Sequence, residues 1–386
     1  MKKQFLTSIL FTSLLFTACD SNDSTSEPVS TDEDRVLTQL DQNNPVVVGL
    51  YNDFHMGLLY NYDNIKDFAY TASTAAQAKV WASIEIPTIA SNYSDSDGNI
   101  IAGSEAAYNQ AVTDNIDFLN EKVFKYFKPN TKIAALMPYK VLLASSIYAP
   151  NGVTVDSYFY TESESRISSS STTVGERRNI FNAHSIVFSA DDDLKVFADL
   201  PASTVRGGGR SNYTRDNFYV LLCKIFKMHN LVDDIPATFF QGKDAYYGKL
   251  MSTVYGAEQG YTTTQISNLQ VIPKDWFFSK GFIDGYYFMT VSGLPTTTTQ
   301  NKDVDGTTIS PSITHRYALR PTYNFVDDKF EDVRSYIAEM IHRTDFSSTV
   351  YPANVRANIV LLRDLLMSWG VDIVAINPAL ATVTAN

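Results

Sequence analysis

The chain has 386 residues, of which 44% are hydrophobic, and it carries a formal net charge of −11. This acidic composition excludes nucleic acid as a partner, because nucleic-acid binding requires a basic surface. The chain contains two cysteines, Cys19 and Cys223. Cys19 belongs to the N-terminal signal segment described below, which leaves Cys223 without a second cysteine in the folded part. No disulfide within the chain is therefore expected, and stability must come from the hydrophobic core.

Residues 1–18 have the pattern of a lipoprotein signal peptide. Lys2 and Lys3 are followed by an apolar run over residues 5–16, and a small residue directly precedes Cys19. This order is typical of a secretory signal, and the cysteine stands where lipoprotein processing attaches acyl chains. We therefore predict that Cys19 is lipidated and that these acyl chains attach the protein to a membrane. A plain cleaved signal with an incidental cysteine is the alternative.

Residues 19–35 are acidic, rich in serine and almost free of large apolar side chains, which predicts a disordered tether. Acidic residues beside a lipidated cysteine are similar to the surface-export signals of Bacteroidota lipoproteins. The resemblance implies an outer-membrane protein that faces the cell exterior. Exposure to the periplasm remains the alternative.

The first half of the folded part is predicted to be rich in strands. Residues 45–92 mix aromatic and β-branched residues in short alternating patches, which indicates strands with a short helix at 73–83. Residues 103–128 have the apolar spacing of a long amphipathic helix. Residues 132–148, "KIAALMPYKVLLASSIY", predict buried strands, and the polar residues 149–178 predict a surface loop or hairpin.

The second half is predicted to be mainly helical. Its expected elements, in chain order, are a strand region at 179–190, a flexible "RGGGR" at 206–210, a helix at 214–231, a polar insertion at 295–316, and helices at 327–343 and 352–369. Strands early in the chain and helices late in the chain are typical of the α+β class.

The histidines do not form a zinc-peptidase motif. Such enzymes need two histidines four residues apart on a helix, with a glutamate between them as base. The five histidines are His55, His184, His229, His315 and His342, and no two lie within four residues of each other. A conventional zinc peptidase is therefore excluded.

Several segments nevertheless resemble, in order, the zinc-binding metallopeptidases of gluzincin type that occur among Bacteroidota lipoproteins. The similarity extends over residues 40–378 and rests on the segments 117–127, 133–148, 275–283 ("DWFFSKGFI"), 329–341 and 355–373. It implies a zincin-like fold, with an N-terminal α+β portion at 36–175 and a degenerate zincin-like portion at 176–386, the two packed as one unit.

The resemblance also places the family's zinc site on residues that have changed. Cys223 and Lys227 stand where the two histidines would be, Lys224 stands where the base would be, and Glu331 is kept as the third ligand. A lysine ammonium has no lone pair and repels a cation. The resemblance therefore implies a pseudoenzyme that has lost zinc and has no cofactor. An ion pair between Lys227 and Glu331 is a hypothesis for what replaces the metal.

The family is often encoded beside SusC/SusD-like nutrient transporters, so the resemblance implies a binding or accessory subunit of such a complex. Two alternatives remain open. One is an active hydrolase or zinc-dependent peptidase with a non-standard site. The other is a lipoprotein that binds a glycan or peptide on its own, for which exposed tyrosine and tryptophan side chains would be the signal.

Four smaller features receive structural interpretations. His229 is expected to be a structural histidine, and Cys223 an inert buried thiol. "DSDGN" at 95–99 lacks the glycine and glutamate that a calcium loop requires, so it predicts a turn, and "VDG" at 304–306 is interpreted in the same way.

Overall fold

The structure, a computed structural model, describes residues 35–68, 83–149, 175–189 except 178 and 183, 213–283 except 268, 270 and 271, 289–290, 314–315, and 324–385 except 344. Several sequence predictions lie wholly or largely outside these residues. They are the signal peptide, Cys19, the tether, the helix at 73–83, the loop at 149–178, "RGGGR", "VDG" and the polar insertion at 295–316.

The described residues form helices and strands in a mixed order. The α-helices are α1 (Arg35–Gln39), α2 (Pro45–Phe54), α3 (Glu105–Lys122), α4 (Tyr213–Met228), α5 (Ala237–Phe240), α6 (Met251–Glu258), α7 (Thr263–Ser267), α8 (Lys274–Ser279), α9 (Lys329–His342), α10 (Ala353–Trp369) and α11 (Ile373–Ile376). The strands are β1 (Gly57–Leu59), β2 (Lys140–Ala144), β3 (Ile147–Ala149), β4 (Gly175–Arg177), β5 (Asn179–Phe181), β6 (Ser185–Ser189), β7 (Met289–Thr290) and β8 (Thr314–His315). Short 3₁₀ helices cover Ile89–Asn92, Phe124–Tyr126, Ala134–Leu136, Leu231–Asp234 and Pro378–Thr382, and Asn64–Phe68 is a π-helix.

The largest sheet has four strands in the order β1-β2-β6-β5. β1, β2 and β6 are parallel, with Gly57 beside Lys140 and Lys140 beside Ser185, while β5 pairs antiparallel with β6. Every residue of β2 and β6 is buried. Fully buried, apolar parallel strands are the expected composition when both faces of a sheet are covered. The pairs β3–β4 and β7–β8 are separate antiparallel ladders.

The predicted strand at the start of the folded region is wrong, because residues 45–54 form helix α2. The side chain of Asn44 accepts hydrogen bonds from the backbone N–H groups of Val46 and Val47, and Pro45 occupies the first turn. A capping asparagine followed by proline is a strong helix start, and here it outweighs the β-branched residues that follow. The helix ends at His55, whose φ is 53°.

The four longer helices predicted from apolar periodicity are confirmed. They are observed as α3, α4, α9 and α10. The α+β class is confirmed as well, although helices α2 and α3 lie among the early strands, so the N-terminal half is rich in strands only in part.

Residues Val36–Asn386 form one compact unit with a continuous hydrophobic core. Its central sheet takes β1 and β2 from before residue 175 and β5 and β6 from after it. None of the helices in the described ranges combines the length and apolar character needed to cross a membrane.

Candidate functional site

Helices α4 and α9 pack against each other and carry the residues at which the sequence predicts a former zinc site. α4 is held by its apolar residues, since Phe218, Leu222 and Phe226 are all buried. α9 begins at Asp328, whose carboxylate accepts a hydrogen bond of 2.9 Å from the backbone N–H of Glu331. This cap fixes Glu331 in the first turn of the helix, where a negative side chain is favourable.

Cys223 is fully buried on the face of α4 that meets α9. Tyr219, one helical turn earlier, is also buried, and its hydroxyl makes a hydrogen bond to the Cys223 sulfur. Burial raises the pKa of the Cys223 thiol to about 12, although the positive charge of Arg334 opposes this shift. Because only the thiolate is a good nucleophile or metal ligand, burial disfavours both roles for Cys223 at neutral pH.

Arg334 is the cation that lies between the two helices. Its Nε donates to a carboxylate oxygen of Glu331 over 2.9 Å, and its Nη2 donates to the same oxygen. Its Nη1 donates to the hydroxyl of Tyr219 over 3.3 Å. Burial alone would lower the pKa of Arg334, but Tyr219, Glu331 and Cys223 together raise it above its ordinary value. The guanidinium therefore stays charged and links α9 to α4.

The predicted ion pair between Lys227 and Glu331 is wrong, because the carboxylate of Glu331 is paired with Arg334. Lys227 is exposed near the end of α4. Lys224 is buried on a different side of this helix, and its ammonium lies 6.0 Å from the ring centroid of Phe181 in β5. The structure thus brings Cys223 and Glu331 together and leaves the two lysines outside the cluster.

These residues do not fit a zinc ion. Zinc in proteins is bound by thiolate, neutral imidazole or free carboxylate groups. The thiol of Cys223 is fully buried beside Tyr219, the carboxylate of Glu331 is bound by a guanidinium, and Arg334 itself has no lone pair to offer. In the part of the chain that the structure describes, no three His, Cys, Asp or Glu side chains are grouped so that they could hold a metal ion.

The sequence analysis missed Tyr219 and Arg334, which complete the cluster. A signal for Arg334 was present, because it follows Glu331 by three residues and opposite charges at this spacing are neighbours on a helix. Tyr219 precedes Cys223 by four residues, so the two share a face of α4. That the two pairs meet each other depends on the packing of α4 on α9, which no local pattern gives.

Two other interpretations can be compared with the structure. The turn at 95–99 is confirmed, because Asp95 accepts hydrogen bonds from the backbone N–H groups of Asp97 and Asn99 over 3.0 and 2.9 Å. Gly98 has a φ of 84° within this turn. His229 is exposed just beyond α4 and is hydrogen-bonded to the backbone of Leu136, which is a structural contact.

An aromatic cluster near α6 and α8 bears on the predicted alternative of glycan stacking. Trp276 and Tyr246 are partly buried, and the Lys280 ammonium lies over both rings, 5.2 and 5.3 Å from their centroids. Glu258 accepts hydrogen bonds from Trp276 Nε1 over 2.6 Å and from Lys280 Nζ over 2.7 Å. These ring faces and polar groups are thus engaged within the protein, so they do not form an open stacking platform.

A pocket with a volume of about 310 Å³ lies between α2 and the end of α3. Its lining includes Leu50, Asp53, Phe54, Lys125 and Phe127. None of the residues that line it belongs to the cluster of Cys223, Glu331 and Arg334. The pocket is thus a feature separate from the predicted site.

No protein-family model, curated protein or solved structure matches this chain.

Proposed function

We propose that the chain is a zincin-like pseudoenzyme that has exchanged a catalytic metal for a structural cation. The observation that carries the proposal is the position of Arg334. Its guanidinium bonds Glu331 and Tyr219 between α4 and α9, the two helices that would supply zinc ligands in a gluzincin. A fixed positive charge there would make the same connection between helices that a metal makes, without activating water.

The surroundings of the cluster support a non-catalytic role. Hydrolysis by a gluzincin needs a base beside the metal. The residue at the base position, Lys224, is buried near Phe181 and is a cationic side chain. Cys223 does not replace this base as a nucleophile, since burial raises the pKa of its thiol to about 12. The cluster therefore holds helices together and offers no reacting group.

A protein of this kind would act by binding. We propose that it is attached to the outer membrane through acyl chains on Cys19, that it faces the cell exterior, and that it serves as an accessory subunit of a SusC/SusD-like nutrient importer. This part of the proposal rests on the sequence of residues 1–35 and on the family resemblance. It is therefore an inference by analogy, which the residues of the site do not specify.

Zinc retention tests the proposal directly. Residues 36–386, which include the whole compact unit, would be incubated with zinc and dialysed against a chelator, and the metal retained would be measured by mass spectrometry. We expect no retained zinc. Stoichiometric zinc in the wild-type protein would overturn the proposal, and peptidase assays would follow.

A variant that restores ligands tests the zincin-like geometry separately. Cys223→His and Lys227→His would put two imidazoles one helical turn apart on α4, and Arg334→Ala would free the carboxylate of Glu331. The three groups can meet at one metal ion only if α4 and α9 have the arrangement of a zincin. Such a set of two histidines and a glutamate is a zinc site of gluzincin type. We expect this variant to retain zinc. A folded variant, as judged by circular dichroism, that retains none would show that the two helices do not have the zincin arrangement.

A further inference from the structure

A second polar cluster, outside the site above, contains a lysine and an aspartate that are both enclosed in the core. Lys243 lies in the segment between α5 and α6, and Asp332 lies on α9. Each side chain is only 1% exposed, and the distance from Lys243 Nζ to Asp332 Oδ2 is 2.8 Å. Burying two charges in this way is costly, and a pair of apolar residues would be at least as stabilising. Stability alone is therefore a weak explanation for the pair.

Aromatic rings enclose the lysine. Its Nζ lies 4.2 Å from the ring centroid of Phe239, 4.8 Å from that of Tyr336 and 5.3 Å from that of Phe282. Gly281 completes the enclosure, because a Cβ atom at this position would be 3.0 Å from Lys243 Cε, and its φ of 81° also favours glycine. The amine is thus held against the carboxyl group and shielded from water.

The two carboxyl oxygens of Asp332 differ in their hydrogen bonds. Its Oδ2 accepts hydrogen bonds from Lys243 and, over 3.0 Å, from the hydroxyl of Tyr247. Its Oδ1 is buried and has no hydrogen-bond partner among the described residues. An ionised carboxylate would seek partners on both oxygens, whereas a protonated carboxyl group needs fewer acceptor contacts. The geometry is therefore suited to the uncharged acid.

Burial also disfavours the charge on each group. Each side chain is only 1% exposed, and at this depth the uncharged form of an amine or a carboxyl group gains over the charged form. Burial therefore increases the share of the pair that exists as a free amine next to a carboxylic acid, which are the two forms that can react with each other.

We propose that Lys243 and Asp332 condense to form an intramolecular amide bond. The enclosure keeps an external substrate away from the amine, but the carboxyl carbon of Asp332 is already beside it. The lone pair of the uncharged Nζ attacks Cγ of the protonated carboxyl group and forms the N–C bond. The bond from Cγ to Oδ2 then breaks, and this oxygen leaves as water with one hydrogen from the acid and one from the amine.

Tyr247 is placed to assist the departure of water. Its hydroxyl donates to Oδ2, so it can supply a proton to this oxygen and recover one from the nitrogen. The reaction neither oxidises nor reduces any group and needs no cofactor. Its product replaces two buried ionisable groups with one neutral amide.

Such a bond would serve a chain in which no disulfide is expected. The two residues are 89 positions apart, so the amide would close a large loop and fix α9 to the segment before α6. Closing a long loop stabilises a fold chiefly by restricting the unfolded chain, as a disulfide does.

Peptide mapping of the full-length protein tests the proposal without any mutation. Cleavage after lysine and arginine should release residues 330–334, "FEDVR", joined to residues 228–249 through Lys243, with a combined mass lower by one water molecule. Tandem mass spectra should place the link at Lys243 and Asp332. Recovery of these two segments only as unlinked peptides, with cleavage after Lys243, would overturn the proposal.

Two variants supply the matched controls. Asp332→Ala removes the carboxyl group and Lys243→Arg removes the amine, so both should yield only unlinked peptides. These peptides can be read from denatured protein, so the comparison holds even if a variant folds poorly. A loss of water from residues 228–249 in the Asp332→Ala variant would show that the mass change arises elsewhere, and it would count against the amide.

Discussion

At the scale of single residues, Arg334 is the side chain that pairs the polar groups of the cluster between α4 and α9. It is 18% exposed and its partner Glu331 is 17% exposed, so water screens their interaction only in part. The guanidinium also donates to the buried hydroxyl of Tyr219. Removing Arg334 would therefore leave the carboxylate of Glu331 on α9 and the phenol of Tyr219 on α4 without their cationic partner. The cost of leaving such groups unpaired is larger than the net gain from forming the bond.

We expect Arg334→Met to lower the free energy of unfolding by about 1–3 kcal/mol, the cost of leaving partly buried hydrogen-bonding groups unpaired. Methionine keeps much of the length of the apolar stem, so the change reports mainly on the charge and its hydrogen bonds. Urea unfolding followed by circular dichroism would measure the difference.

Lys227→Met is the matched control for this experiment. Lys227 is exposed near the end of α4, and the carboxylate of Glu331 is bound by Arg334, so we expect Lys227→Met to cost less than Arg334→Met. If Lys227→Met cost as much as Arg334→Met, the cation that supports Glu331 would have been assigned incorrectly.

The residue types at the site could be predicted from the sequence, but their contacts could not. The family resemblance places Cys223 and Glu331 at one site, and the structure brings them close together. The apolar pattern predicts the two helices that carry them, but not that these helices pack against each other. The cation was predicted wrongly: Lys227 has the right sequence spacing from Cys223 but is exposed. Which of several nearby cations reaches Glu331 depends on how far α9 is rotated against α4. A single sequence contains no measure of that rotation.

At the scale of elements, the end of α10 is held by backbone hydrogen bonds to another segment of the chain. The helix stops at Trp369, and Gly370 adopts a φ of 98°. The backbone oxygens of Trp369 and Gly370 accept hydrogen bonds from Ile133 and Lys128 over 3.0 and 2.8 Å. The end of α10 is therefore fixed to the segment between α3 and β2, and Gly370 must allow a close approach there.

We expect Gly370→Ala to destabilise the protein by about 2–4 kcal/mol, since a non-glycine residue in this conformation costs about 1–2 kcal/mol and overpacking adds a similar amount. An alanine Cβ would lie 2.2 Å from Thr131 Oγ1 and 2.5 Å from Thr131 Cβ. Thermal and urea unfolding would measure the loss.

Gly98→Ala separates these two contributions. Gly98 also has a positive φ, of 84°, but nothing lies within 4 Å of its added Cβ. We expect a loss of only about 1 kcal/mol at this position, from the backbone conformation alone. Equal losses for the two variants would mean that the contact with Thr131 relaxes at no cost.

The elements also show when periodicity is a sufficient guide. α9 and α10 were predicted closely because their apolar spacing is regular and a capping aspartate or a proline marks where each begins. α2 was predicted as a strand because Val46, Val47 and Val48 favour extended structure. The stronger signal in the sequence is the pair Asn44-Pro45, which caps and starts a helix.

At the scale of the whole molecule, the α+β class followed from the order of elements along the chain. The strand order of the main sheet did not. β2 lies between β1 and β6 in the sheet. Its first residue, Lys140, pairs with Gly57 of β1, 83 residues earlier, and with Ser185 of β6, 45 residues later. Pairings over such separations leave no local trace in the sequence, because they depend on loop closure and on burial of both faces.

This topology predicts that the chain cannot be divided between β2 and β6 into parts that fold alone. We expect residues 36–160 and 161–386, produced separately, to lack a cooperative unfolding transition. β2 and β6 pair with each other at five positions, and each would be in a different fragment. Urea titration monitored by near-UV circular dichroism would show this. A sharp transition in either fragment would mean that the half in question has a sufficient core of its own.

The position of β6 along the chain also determines when the main sheet can be completed during synthesis. Until residue 189 is available, β2 has an open edge whose residues are apolar except for Lys140, and an open edge of this kind is a template for pairing with other chains. During synthesis or export, an incomplete chain would therefore be most prone to aggregate after β2 has emerged and before β6 has followed. Its successful production depends on how quickly the intervening 40 residues, 145–184, pass through that interval, and slowing the chain there should lower the yield of soluble protein.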